Sequence, residues 1–506
     1  MIKSKILTTK NIKDLTAINE KENKRIVLSH GVFDLVHPGH IKHLELAKKE
    51  GDLLVVAIVP DRFVNKGPGR PIFNEQIRAE MIAALQFVDF VVVAKQEMPI
   101  DLINQLKPTV FAVGDETLEE WVDDPNYRNI EQALHSVGGR IHQTGSKQFS
   151  STHLLNAYFD VLTPQANEFI EYFCSLYDAE KVNDSLRRLK DLKVLVIGDA
   201  IIDEYHFCRP YGMASKSANI AAQFLSAEVH AGGSMAVANH LAGFCDTVDL
   251  VTSLGDQDSR EDFIRKALQP NVKPHFFLRT DGPTTVKRRY VQRFLMSKLF
   301  EVSFYNDTFI DGEPLDRMNE FLSSHLSKYD LVVVADFGHG LLGSTTINIL
   351  GEKAKFLALN TQNNSINNGY NLVTRYARAD YVCIDEQETR LAGRERFGPI
   401  EEIEAQISAQ LGCKIMTTTL GYRGSLTLIP PASFIQTPVF SREVVDTTGA
   451  GDAYFALTAA CACMGYPPEL IGFIGNVTGA LAVRIVGNKQ PVAPLDLFRY
   501  VETLMR

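Results

Sequence analysis

The chain has 506 residues, too many for one ordinary hydrophobic core, so two or three domains are expected. With 45% hydrophobic and 22% charged residues it reads as a soluble globular protein, and a net charge of −9 leaves no basic footprint for nucleic acid or for an anionic membrane. Seven cysteines, at 174, 208, 245, 383, 413, 461 and 463, form no Cys-x-x-Cys pair, which excludes a disulfide framework or a zinc site and points to a reducing, cytoplasmic compartment.

In chain order, residues 1–24 are polar and Lys-rich, hold no apolar core of signal length, and read as a loose helix or arm. No segment reaches the roughly 18 to 20 apolar residues of a membrane helix. Strands over 26–29, 53–59, 90–94 and 109–113 alternate with helices over 40–50, 74–87 and 98–106, the pattern of a Rossmann-like α/β domain with a parallel sheet. Such sheets bind ligands at the carboxyl ends of their strands. At the end of the first strand stands Gly31-Val32-Phe33-Asp34-Leu35-Val36-His37-Pro38-Gly39-His40. A strand, a tight turn and a helix start form a phosphate-binding geometry, because the helix offers unpaired N–H groups and a partial positive charge. By themselves the two histidines fit two donors beside a phosphate, or one cap and one exposed ring, equally well. Gly114 and Asp115, after the fourth strand, lie on the same edge and fit either a base or ribose contact or a polar turn. Ser150, Ser151 and Thr152 precede a helical run, where hydroxyls cap the helix or cradle a phosphate with the same N–H groups.

The histidine turn resembles the signature of the cytidylyltransferase-like nucleotidyltransferases, and further matches follow in family order: Lys66 with Gly69-Arg70-Pro71, Arg78, Val88-Asp89, and the Ser150, Ser151, Thr152 turn. The resemblance covers roughly residues 25–158 and is closest to the adenylyltransferase half of the bacterial bifunctional heptose enzymes. It implies that His37 and His40 contact nucleotide phosphates and act in catalysis. Gly31, Phe33, Asp34, Lys66, Arg78, Gly114, Asp115 and the hydroxyl turn would complete the nucleotide site.

Residues 159–190 form a helical connector between a first domain, 1–158, and a second, 191–506. Its stripe Phe169, Tyr172, Phe173 and Leu176 fits a dimerisation helix or packing on its own domain. Val194-Leu195-Val196-Ile197-Gly198-Asp199 opens the second domain. Strands over 248–252, 331–335, 355–359, 381–384 and 414–418 predict another parallel sheet, while 214–230 and 290–304 fit a small lid sheet or ordinary surface hairpins. The centre of this half is Asp446-Thr447-Thr448-Gly449-Ala450-Gly451-Asp452, opening a helix rich in small residues. Gly449, Ala450 and Gly451 would leave N–H groups for a transferring phosphoryl group, with Asp452 facing the acceptor hydroxyl as general base. A capping aspartate in a Gly-rich turn is the plainer alternative.

That string resembles the second signature of the ribokinase-like (PfkB) carbohydrate kinases. The rest of the second half follows their layout, an α/β/α architecture with a lid, and is again closest to the heptose enzymes. The resemblance implies sugar contacts by Asp203, Gly232, Gly233, Asn239 and Lys287, and nucleotide contacts by Asn360, Glu388, Thr419, Gly421 and Gly424. It also implies ATP and Mg²⁺, the metal entering with the nucleotide phosphates. Three departures stand out. His339 replaces a lysine, Asn360-Thr361-Gln362 replaces Asp-Pro-Lys, and the two domains come in exchanged order.

Two readings follow. In one, the chain is a bifunctional sugar kinase and sugar-phosphate nucleotidyltransferase, using ATP or CTP to make an activated heptose for surface polysaccharide. In the other, the kinase-like half is idle and serves regulation or oligomerisation beside an active nucleotidyltransferase, which then takes a polyol phosphate or similar acceptor. The partners implied are a sugar or sugar phosphate, a nucleoside triphosphate and a second copy in a homodimer.

Overall fold

The computed structural model describes residues 2–7, 11–12, 24–64, 70–114, 125–145, 162–294, 296–367, 369–431, 433–441 and 443–505. It divides into two compact units, residues 1–161 and 162–505.

The first unit is built on a six-stranded sheet. Its strands are β1 (Ile6–Leu7), β2 (Ile26–Gly31), β3 (Leu53–Ile58), β4 (Phe90–Val93), β5 (Val110–Val113) and β6 (Arg140–Gln143), in the order β1-β4-β3-β2-β5-β6. All pairs are parallel. Both faces are covered, so each strand alternates between two cores: Ile26 and Leu28 enter one, Val27 the other. The order runs outward in opposite directions from β2 and β5, so the crevice at a topological switch lies beside the end of β2. Two strands were not expected. Ile6 and Leu7, assigned to a loose arm, pair with Val91 and Val92, and the short, half-exposed Arg140–Gln143 extends the other edge.

The second unit holds a nine-stranded sheet, order β11-β10-β7-β14-β15-β16-β17-β18-β19. These are β7 (Lys193–Gly198), β10 (Thr247–Gly255), β11 (Val272–Arg279), β14 (Leu331–Asp336), β15 (Leu357–Thr361), β16 (Tyr381–Asp385), β17 (Ile415–Thr419), β18 (Ser425–Ile429) and β19 (Ser433–Thr437). Only the hairpin partners β17-β18 and β18-β19 run antiparallel. Leu331, Val333 and Ala335 face one core while Val332 and Val334 face the other, as a sheet between two helix layers requires. The switch here lies between β7 and β14.

A separate four-stranded sheet, order β13-β12-β8-β9, is made by β8 (Ala200–Met213), β9 (Ile220–Gly233), β12 (Thr285–Gln292) and β13 (Ser297–Phe304). The stretches 214–230 and 290–304 therefore contribute to a lid sheet rather than to independent surface hairpins. The helices Pro164–Leu176 and Ala179–Arg187 pack into the core of this unit, where the rings of Phe173 and Phe473 stack at 4.1 Å. The apolar stripe splits: Phe169 and Phe173 are buried, while Tyr172 and Leu176 stay exposed. All seven cysteines are free, and no helix among the described residues is long and apolar enough to cross a membrane.

Candidate functional sites

In the first unit, helix Pro38–Lys49 begins directly beyond the β2 turn. His37 is its N-cap, with Nδ1 accepting a hydrogen bond from the Gly39 N–H at 3.1 Å. The His37 and His40 rings stack at 3.9 Å, and Phe33 meets His40 edge-on at 5.2 Å. The turn needs Phe33 at φ +50, and a side chain on Gly31 would crowd the Phe33 ring at 3.0 Å. Two imidazoles thus stand together at a helix start that carries no acidic residue in its first turn.

Asp34 and Arg78 have other work. The Asp34 carboxylate accepts N–H groups of Ile72 and Phe73 at 2.8 and 3.1 Å and faces Arg70 at 3.5 Å, both side chains nearly inaccessible. Arg78 is fully buried and donates to the carbonyls of Val32, Phe73 and Val59 and to Asp61. The expectation that Arg78 touches nucleotide is corrected: it shapes the turn from behind, because an inaccessible guanidinium among carbonyl acceptors has no free face for a phosphate, while Asp34 ties the turn to Ile72 and Phe73. Gly114 is half-buried at the end of β5. Lys66, Asp115, Ser150, Ser151 and Thr152 lie outside the described residues.

Sequence reasoning missed His43. Its ring bridges Ser29 Oγ at 2.9 Å and Thr144 Oγ1 at 2.7 Å, tying the histidine helix to β2 and to the residue after β6. A polar residue on the face of the helix that buries Leu44 and Ala47 was the available signal.

In the second unit, a cavity of about 1260 Å³ opens between the lid sheet and the carboxyl ends of the main strands. Asp203, Gly233, Lys287, Thr419, Gly421, Gly449, Gly451 and Asp452 all line it. Helix Ala450–Cys463 starts at the wall, with Gly449 as N-cap at φ +83. A Cβ there would sit 1.9 Å from Asn488 Oδ1, so glycine is required. The Ala450 N–H turns back to Thr447 O at 3.3 Å, while the N–H groups that follow in the first turn have no acceptor within the helix, as an anion site requires. Burial, then the negative charge of Asp203, pushes the Asp452 carboxyl up to about 7, with Lys287 opposing.

Asp203 is itself buried and paired with Arg289, and the missing Cβ of Gly232 makes room for its carboxylate. Lys287 is buried on the same strand face as Arg289 and is held below the usual lysine range by desolvation. Arg289, Lys298 and Asn488 were not anticipated, and Asp446 was read only as the start of the motif, without a role of its own. Arg289 was legible as the i+2 neighbour of Lys287 on a strand, whereas Asn488 carries no local signal. Beside the cavity lies a mostly apolar slot of about 600 Å³ that shares Thr419, Gly421, Thr447 and Gly451 with it and adds Gly424, Ala450, Tyr454 and Val483.

Three expected residues sit elsewhere. Asn239 is buried, with its amide bonded to Ala267 O at 3.0 Å and Gln269 N at 2.9 Å, so it braces two helices and is corrected from sugar contact to structural residue. Asn360 does not line the cavity and donates to Cys383 O at 2.8 Å. Glu388 forms a capping box with Asp385 and also accepts from Asn363 N at 2.8 Å; burial and the Asp385 charge push it up to about 8. Its oxygens are taken by backbone; at the same end of the cavity Glu386 pairs with Arg390 and Arg423, and Asp385 Oδ1 accepts the Glu388 N–H at 2.7 Å. Among the described residues no group of three or more His, Cys, Asp or Glu side chains forms a metal site.

The departures at 339 and 360–362 have a structural counterpart. The loop after β14 hangs on Asp199, which accepts the N–H groups of Phe337, His339 and Leu341, and on Asn364 and Asn367, which donate to Phe337 O. His339 is buried with both ring nitrogens unpartnered, and desolvation pushes it down to about 3, so it stays neutral where a lysine would bring charge.

Fold and pocket together define a two-domain α/β protein in which a lidded kinase domain follows a nucleotidyltransferase-like domain. The chain belongs to the pfkB family of carbohydrate kinases, which residues 191–494 match, and residues 28–161 match the cytidylyltransferase-like family. It is similar to the bifunctional protein HldE of Syntrophotalea carbinolica, 36% identical over 140 residues, 27% of each chain. HldE of Methylobacillus flagellatus is 46% identical over 103 residues, 20% of this chain and 21% of that protein. The chain thus matches about a quarter of the length of these curated relatives. Phosphofructokinase-2 from Escherichia coli, in complex with substrates and products, matches 62% of this chain and 100% of its own at 12% identity and a TM-score of 0.50, a likeness of fold.

Proposed function

We propose that the chain is a bifunctional enzyme that phosphorylates a sugar and joins a sugar phosphate to a nucleotide, making an ADP- or CDP-heptose type of activated sugar for surface polysaccharide. The observation that carries the kinase half is Asp452, a carboxyl poised near 7 at an anion-binding helix start, inside a cavity that also holds Asp203 and Lys287. The ionised Asp452 takes the acceptor hydroxyl proton as that oxygen attacks the γ-phosphorus of ATP and ADP leaves. The N–H groups of Gly449, Ala450 and Gly451 receive the transferring group, and Asp203, Gly232, Gly233 and Lys287 hold the sugar. The apolar slot suits a nucleobase and its polar neighbour the phosphates, with Thr419, Gly421 and Gly424 at the junction. The lid excludes water, the competing acceptor.

The nucleotidyltransferase half uses the helix start at His37 and His40 to stabilise charge on the α-phosphate. A sugar phosphate oxygen attacks there and the bond to pyrophosphate breaks; Lys66, Ser150, Ser151 and Thr152 are proposed to hold the triphosphate. Mg²⁺ would enter with the nucleotide and would supply neutralisation of its phosphates. A homodimer is supported by a solvent-facing aromatic row across the lid sheet, Phe224, His206, Tyr290 and Phe300, with Phe224 57% and Phe300 49% exposed. The neutral His339 favours a second reading, in which the kinase half is idle.

The test is pyrophosphate release by the purified protein with ATP or CTP and a panel of sugar 1-phosphates, heptose included. In parallel, ADP release is followed with free and phosphorylated heptoses. Pyrophosphate with one heptose phosphate, lost in His37→Ala, together with ADP release lost in Asp452→Asn, supports the proposal. Pyrophosphate alone supports the idle kinase, and silence in both assays overturns the heptose assignment.

A further inference from the structure

The loop that leads into the anion hole is tied to Val483 O by the N–H groups of Val445 and Asp446 and braced by one buried carboxylate. Asp446 is 7% exposed and accepts four hydrogen bonds: Thr448 N–H at 3.1 Å, Gly487 N–H at 3.0 Å, Tyr205 O–H at 2.8 Å and Lys298 Nζ at 3.1 Å. The first closes the loop on itself and the second ties it to the segment at Gly487. The other two reach in from the lid sheet, Tyr205 from β8 and Lys298 from β13. Lys298 also donates to Thr448 Oγ1, so one ammonium grips both a side chain and the carboxylate that fixes the backbone immediately before Gly449. Neighbouring contacts bind the same lid strands further. Arg289 on β12 pairs with Asp203 and Glu301 and lies over the Tyr205 ring at 5.8 Å.

We propose that Lys298 is a positioning residue through which the lid sheet sets the backbone of the anion hole, so that lid placement and assembly of the transfer site are one event. The proposal rests on the kinase reading above. The physical argument is the asymmetry of the pair. The Asp446 side chain is 6% accessible and that of Lys298 38%, so the carboxylate is fixed within the fold while the ammonium is carried by the lid strand β13. Removing the ammonium leaves a buried carboxylate short of its charged partner, and the segment it organises ends in the N-cap of helix Ala450–Cys463. Misplacement of such a segment is felt at the reacting atoms even though Lys298 touches none of them.

The test uses the full chain and three variants, Lys298→Met, Lys298→Arg and Thr448→Val. Amide hydrogen exchange over 446–452 is measured without ligand and with Mg²⁺ and a non-hydrolysable ATP analogue, beside steady-state kinetics with ATP and the sugar that the wild type accepts. Lys298→Met is expected to raise exchange over 446–452 about ten-fold and lower kcat about ten-fold or more, with both KM values changed less than about three-fold. It should also raise the ATP hydrolysed per sugar phosphorylated. Lys298→Arg should recover most of both effects, and Thr448→Val should show a weaker form of each. Unchanged exchange over 446–452 in Lys298→Met overturns the proposal. So does a rise in the KM for ATP at constant kcat, which would make Lys298 a plain phosphate contact. If the wild type phosphorylates no sugar, the kinase reading fails, and the exchange comparison alone still decides whether the lid holds the loop.

Discussion

Replacing Asp203 or Lys287 should shift the pH dependence of phosphoryl transfer in opposite directions, because both act on Asp452 through charge. With the Asp452 carboxyl at about 7, half of the molecules carry the ionised base at pH 7 and about one in eleven at pH 6. The wild-type kcat/KM should therefore fall about five-fold between those values, as expected for a base that must be ionised in the free enzyme. Asp203 raises that carboxyl, so Asp203→Asn moves the acidic limb to lower pH; Lys287 lowers it, so Lys287→Met moves the limb upward. Asp452→Asn removes the limb and lowers kcat by about 10²- to 10⁴-fold. The assay is ADP release from pH 5.5 to 8.5 at constant ionic strength. Both single variants also weaken sugar binding, so the position of the limb is read rather than its height. A limb that stays in place in both variants, or moves the same way in both, refutes the assignment of Asp452 as the titrating base.

Other outcomes test the structural roles. Glu404 is fully buried with neither carboxylate oxygen well bonded, and desolvation raises it well above the usual range. The folded state thus keeps a proton that the unfolded chain loses above about pH 4.5, so stability falls as pH rises beyond that value. Glu404→Gln should flatten this dependence and raise the urea midpoint at pH 8 by the equivalent of about 1 to 3 kcal/mol. Gly449→Ala combines a left-handed backbone with a collision on Asn488, a strain of about 1 to 2 kcal/mol from the backbone alone; thermal unfolding should move by a few degrees, while phosphoryl transfer is nearly lost. Arg78→Met leaves Asp61 and three carbonyls without their donor and should destabilise the first unit by about 3 to 5 kcal/mol. Hydrogen exchange should then rise across Ile26–Gly31 and remain unchanged across Lys193–Gly198.

The two motif turns were legible because their geometry is local. Gly31 to His40 and Asp446 to Asp452 each set a strand or loop end, a glycine and a helix start within about ten residues, and the type of that short stretch follows from sterics, capping and N–H direction. The parallel sheets were equally legible, since a strand buried on both faces must be apolar at every position, as Val194 to Ile197 and Leu331 to Ala335 are. Edge elements escaped for the opposite reason: Ile6–Leu7 and Arg140–Gln143 are too short and half-exposed to leave a pattern.

What only the tertiary structure decided was which polar residues face a ligand and which face the protein. Arg78, Asp34 and Asn239 stand in motif order like binding residues, yet burial against backbone acceptors and donors turned them inward. Lys298 and Asn488 stand in no motif at all and reach the cavity or its wall because the packing of distant elements brings them there, Asn488 lying 285 residues from the Asp203 it meets. Residue type and spacing limit what a side chain can do over a few residues, whereas its partner is chosen by the packing of elements far apart in the chain, and the energetic requirement that every buried polar group find such a partner is what assigns its role.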